Sequence, residues 1–100
     1  METIEPYSRC FVKVLVQDSV FSDEYEITLQ TYNGSYVMLI AHRDYIIEKN
    51  GELFLQVMFL SRDHQRRTDR LLVELPVETT NKYETGTRWV EIKEEFIYYE

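Results

Sequence analysis

A chain of 100 residues with 44% apolar side chains, three glycines and two prolines can bury one core and is too apolar for a disordered or low-complexity segment. Its single cysteine excludes an internal disulfide framework, and its longest unbroken apolar run is far short of the roughly 20 residues a membrane span needs. A net charge of −7 repels phosphate backbones over most of the surface and suits either plain solubility or a basic protein partner.

Residues 1–9 read as a flexible lead-in to a single domain over 1–100. Met1-Glu2-Thr3-Ile4-Glu5 is neither basic nor apolar, so it does not look like a secretory leader, and with the lone Cys10 this gives the expectation of a soluble, cytoplasmic protein. Cys10 to Gln17 is dense enough in apolar residues for a strand buried on both faces, with Lys13 near an end or edge. Asp18 to Asp23 is a turn, because Ser and Asp compete for backbone hydrogen bonds. Glu24 to Thr31 alternates, with Tyr25, Ile27 and Leu29 on one face of a half-buried strand. Asn33-Gly34 is the preferred pair for a two-residue type I′ hairpin. Such a turn sets Leu29 opposite Met38 and Ile27 opposite Ile40.

His42 to Glu48 reads either as one helical turn or as a bend followed by a short strand at Tyr45 to Lys49. The second turn, Asn50-Gly51, places Glu48 against Leu53 and Ile47 against Phe54. Leu53 to Leu60 is apolar on both faces apart from Gln56, which marks a central strand. After a polar run, Arg70 to Val77 alternates again, and Pro76 ends that strand or puts it at an edge. Thr87 to Ile92 is a further strand, with Val90 and Ile92 facing away from Trp89 and Glu91. Lys93 to Glu95 is a turn, and Phe96 to Tyr99 closes the chain as a short strand or docked tail.

The expected fold is therefore all-β, a small antiparallel barrel of six to seven strands or a compact sandwich, with a short helical turn near 42–48 as an option. The closing order, a strand over 87–92, a turn at Lys93 to Glu95 and a last segment, resembles the end of SH3-like barrels. That resemblance implies the barrel alternative and no particular activity.

Chemistry concentrates between the two apolar runs. Arg62, Arg66, Arg67 and Arg70 lie close together with His64 among them. With Asp63 and Asp69 the segment carries +2, leaving −9 for the rest of the chain. Guanidinium groups bind phosphates and carboxylates in bidentate fashion, and a loop between rigid strands is a common place for a binding site. The competing reading is that these arginines pair with the chain's own surplus acids. The segment has no aromatic residue for base stacking, which weighs against nucleic acid.

Neither His42 nor His64 has a ligand-like spacing to a second His or Cys, so no metal or cofactor is expected. Cys10 opens a buried strand, and no Ser or Cys stands in a nucleophile motif, so the chain does not read as an enzyme. The remaining feature is aromatic. Trp89 and Tyr98 stand in a C-terminal third crowded with rings, and Trp, Tyr and Arg are the types enriched at interface hot spots. Trp89 either covers a second small core under the C-terminal tail or lies exposed beside Glu91.

The expected function is a non-catalytic protein-interaction domain. It acts through an exposed sheet edge, the aromatic face with Trp89 and Tyr98, and the arginine-rich segment with Arg62, His64, Arg66, Arg67 and Arg70. A homodimer is its simplest form. A second reading is a nucleic-acid or anionic-ligand binder through residues 62–70. A third is an acidic inhibitor that presents Glu24, Glu26, Glu91, Glu94 and Glu95 in place of nucleic-acid phosphates. No membrane partner is expected.

Overall fold

The long apolar run at the centre of the sequence becomes the strand on which the larger sheet is assembled. In the structure, a computed structural model that describes residues 8–62, 69–79 and 86–99, the chain forms β1 (Arg9–Lys13), β2 (Leu15–Asp18), β3 (Glu24–Gln30), β4 (Tyr36–His42), β5 (Ile46–Lys49), β6 (Glu52–Arg62), β7 (Arg70–Glu74), β8 (Trp89–Lys93) and β9 (Ile97–Tyr98). Two 3-10 turns, Arg43–Tyr45 and Glu94–Phe96, link β4 to β5 and β8 to β9.

All pairings are antiparallel. The larger sheet runs β8-β7-β6-β1-β9, with β5 also on β6; the smaller runs β2-β3-β4. Leu55 registers with Val12 on one side and Ile46 on the other, and Met58 with Arg9 and Glu74. Strands β5 and β7 therefore lie end to end along one edge of β6, with β1 on the opposite edge. Ile27, Leu29, Val37 and Leu39 of the smaller sheet share one core with Val12, Leu55, Leu71, Val73 and Ile92 of the larger. The sheets do not join into a closed barrel, so the sandwich alternative describes the fold.

The expected strand over 10–17 is split. Val14, itself buried, separates β1 from β2, and its N–H donates to the Leu53 carbonyl at 3.1 Å. The chain thereby passes from one sheet to the other within a single residue, a corner that encloses the core from two sides. The ambiguous segment after β4 resolves into both alternatives in series, a 3-10 turn and then β5. The His42 imidazole caps that turn by accepting from the Asp44 N–H at 3.1 Å. Arg43 fastens it to the smaller sheet, stacking 4.1 Å over the Tyr25 ring and donating to the Tyr25 hydroxyl at 2.6 Å.

The Asn50-Gly51 hairpin has the expected register, Glu48 with Leu53 and Ile47 with Phe54, and both turn residues have positive φ. The first hairpin corrects its expectation by one residue. Leu29 pairs with Val37 and Ile27 with Leu39, not with Met38 and Ile40. The loop has three residues, Tyr32, Asn33 and Gly34, and only Gly34 is left-handed, at φ 93°. The cause is local hydrogen bonding. The Asn33 carboxamide oxygen accepts from the Ser35 N–H at 3.2 Å and from the Thr31 hydroxyl at 2.7 Å, while the Thr31 N–H donates to the Ser35 carbonyl at 2.8 Å. Asn33 uses its side chain as a turn-former rather than adopting the left-handed backbone that a type I′ turn demands. A one-residue slip moves every β4 side chain to the other face. Val37, Leu39 and Ala41 enter the core, and Tyr36, Met38 and Ile40 face outward.

Candidate functional site: the outer face around Trp89

Strands β7 and β8 pair with Leu71 opposite Ile92, Val73 opposite Val90 and Glu74 opposite Trp89. The odd-numbered residues of β7 and the even-numbered ones of β8 fill the core. The outer face is left with Arg70, Leu72 and Glu74 beside Trp89, Glu91 and Lys93. Trp89 is 62% exposed, so the second-small-core alternative is not the one adopted. Its indole is oriented rather than loose, because Nε1–H donates to the Glu74 carboxylate directly opposite at 2.9 Å.

The turn of the first hairpin docks against this face. The Tyr32 N–H donates to the Glu91 carbonyl at 2.6 Å, and the Tyr32 hydroxyl to Asp69 at 3.2 Å. Between the turn and Trp89 lies an open groove of about 460 Å³, floored by Leu72 and Val90 and bounded by Arg70 and Glu91. A second groove of about 440 Å³ lies on the other side of the indole, beside Glu74, Glu78, Thr87 and Arg88. Trp89 borders both and forms the ridge between them. Three carboxylates, on Glu74, Glu78 and Glu91, surround that ridge. Two of the local cations are engaged. Arg88 donates to the Leu75 carbonyl at 3.2 Å and the Pro76 carbonyl at 3.3 Å, and Arg70 stacks 5.5 Å from the Tyr32 ring centre with Glu91 at 3.4 Å.

The expected arginine cluster is divided. A bulge in β6 between Phe59 and Ser61 shifts its pairing with β7 by one residue. Downstream side chains change face in consequence, as a bulge requires. Arg62 then stands opposite core-facing Leu71, while Arg70, the neighbour of Leu71, points outward. The Arg62 side chain is only 14% exposed and forms an ion pair with Glu94 at the start of the second 3-10 turn. That hydrogen bond, chiefly, holds the Glu94 carboxyl below the usual glutamate range. The Tyr99 hydroxyl also reaches Glu94, at 3.4 Å, and burial first, then the Glu94 charge, pushes the phenol up to about 12. His64, Arg66 and Arg67 lie outside the described residues.

Tyr98 packs against two neighbouring rings. Its ring is half-buried with centroids 6.1 Å from Phe11 and 5.6 Å from Phe54, on the outer side of β1 and β6, and Lys49 approaches it at 5.8 Å. The acids expected to form one phosphate-like face are distributed. Glu24 and Glu26 are on β3 of the smaller sheet, whereas Glu91 and Glu94 lie by the larger one and each has an arginine partner. Among the described residues no group of three His, Cys, Asp or Glu side chains is placed to hold a metal ion.

Sequence reasoning singled out Trp89 but missed Glu74 and Tyr32, its neighbours on this face. Alternation does place Glu74 on the outward side of its strand. Only the register brings it opposite Trp89. No family model, curated protein or solved structure matches this chain.

Proposed function

We propose that this chain is a non-catalytic protein-interaction domain whose contact surface centres on Trp89. The observation that carries the reading is an indole 62% exposed yet fixed by Glu74, standing between two grooves. A rigid, exposed Trp offers a large contact area at little entropic cost, which is why this residue type dominates interface hot spots. The carboxylates of Glu74, Glu78 and Glu91 favour a partner segment with a lysine or arginine that can lie against the indole face, where cation–π attraction and charge act together. The anion-binding alternative loses Arg62 and Arg70 to intramolecular acids, which leaves it without support from the described residues.

Trp89 is the only tryptophan, so its emission reports this surface alone. A displayed random-peptide library selected on the intact protein should enrich basic sequences. These should shift Trp89 emission to the blue and should bind Trp89→Ala at least about tenfold more weakly, as expected for a central hot spot. Selected peptides that bind Trp89→Ala as well as the parent, or that leave the emission unchanged, would refute the proposal.

A further inference from the structure

Among the described residues β8 is the last strand of the larger sheet, so one side of its main chain faces no neighbouring strand of that sheet. In an antiparallel ladder the N–H and C=O of one residue point to the same side, and successive residues alternate. Three hydrogen bonds fix the phase of that alternation in β8. The Leu75 N–H donates to the Arg88 carbonyl at 2.7 Å and the Glu94 N–H to the Asp69 carbonyl at 2.7 Å, so the even-numbered residues turn toward β7. From the opposite side the Tyr32 N–H donates to the Glu91 carbonyl at 2.6 Å, so the odd-numbered residues turn away. The N–H and C=O of Trp89 and the N–H of Glu91 therefore lie along the outer edge. None of these groups has a hydrogen-bond partner among the described residues.

The groove of about 460 Å³ runs beside this edge, lined by Trp89, Val90 and Glu91 from β8 and by Thr31, Tyr32 and Asn33 from the turn. An edge with unpaired main-chain groups is a template for an added strand. Main-chain chemistry then selects the occupant. Donors and acceptors spaced along a strand are matched by a second extended segment, whereas a helix has already bonded its own N–H and C=O groups internally. A second copy of the chain fits poorly. Antiparallel pairing of β8 with its copy about Trp89 would set Thr87 of the copy beside Glu91, where Tyr32 already bonds. Each copy also brings a net charge of −7.

From this we infer that the partner of the Trp89 surface binds as an extended segment added to the outer edge of β8. Its main chain bonds to Trp89 and Glu91, and its alternate side chains lie on the same face as the indole. The inference rests on the Trp89 reading and adds to it the backbone form of the partner. The partner residue that donates to the Trp89 carbonyl is not proline, which has no N–H to give.

Synthetic peptides test it on the full chain. One alternates threonine and lysine, and a helix-forming peptide of alanine and lysine matches it in length and charge. Two further versions of the Thr/Lys peptide carry N-methyl groups on alternate residues, one on the threonines and one on the lysines. The Thr/Lys peptide should bind, shift Trp89 emission to the blue, and slow amide hydrogen exchange at Trp89 and Glu91 as followed by NMR. Without peptide these two amides should exchange faster than those of Val90 and Ile92, which face β7. One N-methylated version should bind at least about tenfold more weakly and the other like the parent peptide, because only one edge of an added strand donates to β8. The Ala/Lys peptide should bind at least about tenfold more weakly than the Thr/Lys peptide. Equal affinity of the Thr/Lys and Ala/Lys peptides, no difference between the two N-methylated versions, or unchanged exchange at Trp89 and Glu91 would overturn the added strand. With a blue shift still present, the Trp89 reading would stand. Failure of the Thr/Lys peptide to bind would overturn the inference, and binding without any change in emission would count against both readings. A peptide-free dimer with slow exchange at both amides would also overturn the inference, because a second copy would then be the occupant.

Discussion

Arg62 and Glu94, thirty-two positions apart, join the end of the longest strand to the first residue of the last 3-10 turn. The pair ties the turn that precedes β9 to the end of β6, and the Tyr99 hydroxyl donates to the same carboxylate. One of the arginines expected to form an anion-binding segment is thus engaged at the start of the last 3-10 turn.

This pair gives the fold a definite response to acid. The folded pKa of Glu94 lies below its ordinary 4.5, so the stabilisation is complete above that value and is lost as pH falls through the folded pKa. Glu94→Gln should cost about 1 kcal/mol at neutral pH, the scale of a partly exposed, hydrogen-bonded ion pair. It should cost much less near pH 2. Urea unfolding of parent and variant at the two pH values measures the difference. An equal penalty at both would show that the charge of Glu94 contributes nothing.

Tyr99 sets the opposite limit. Its folded pKa of about 12 exceeds the ordinary 10.0, so its contribution is fully present below 10 and is lost as pH rises toward 12. Alkaline unfolding monitored by circular dichroism should occur at higher pH in Tyr99→Phe than in the parent, and a phenol ionising near 12 in an absorbance titration should disappear.

The corrected register of the first hairpin predicts a sharp contrast between neighbours. Leu39 is fully buried and Ile40 faces out. Leu39→Ala should destabilise by roughly 2–5 kcal/mol, whereas Ile40→Ala should cost about 1 kcal/mol or less. The reverse order would restore the two-residue turn. Gly34→Ala should cost roughly 1–2 kcal/mol through its left-handed backbone alone. An added Cβ meets nothing closer than Gln30 Nε2 at 3.9 Å.

Cys10 is fully buried, and burial raises its thiol to about 11. A neutral, enclosed thiol does not react until the structure opens. Alkylation should therefore follow the unfolded fraction across a urea series. Rapid labelling in the absence of denaturant would place Cys10 at the surface.

Much of this architecture is legible without coordinates. Period-two alternation marks β3 and the buried side of β7 and β8, because successive strand side chains must point to opposite faces. The register expected at Asn50-Gly51 holds because both residues adopt the positive φ that a two-residue turn needs, which Asn33 does not. Pro76 marks the end of a strand because it lacks an N–H.

What stayed hidden has one physical origin, the coupling of residues distant in sequence. Both faces of β4 are apolar, so alternation could not choose between them, and the hydrogen bonds of Asn33 made the choice. The bulge near Leu60 has no glycine to announce it, yet it turns Arg62 inward to Glu94 and leaves Arg70 outside. Trp89 was visible as a candidate from its strand alone. That it has Glu74 directly opposite and Tyr32 across a groove follows from register and from the docking of one sheet's turn on the other sheet, which no local pattern encodes.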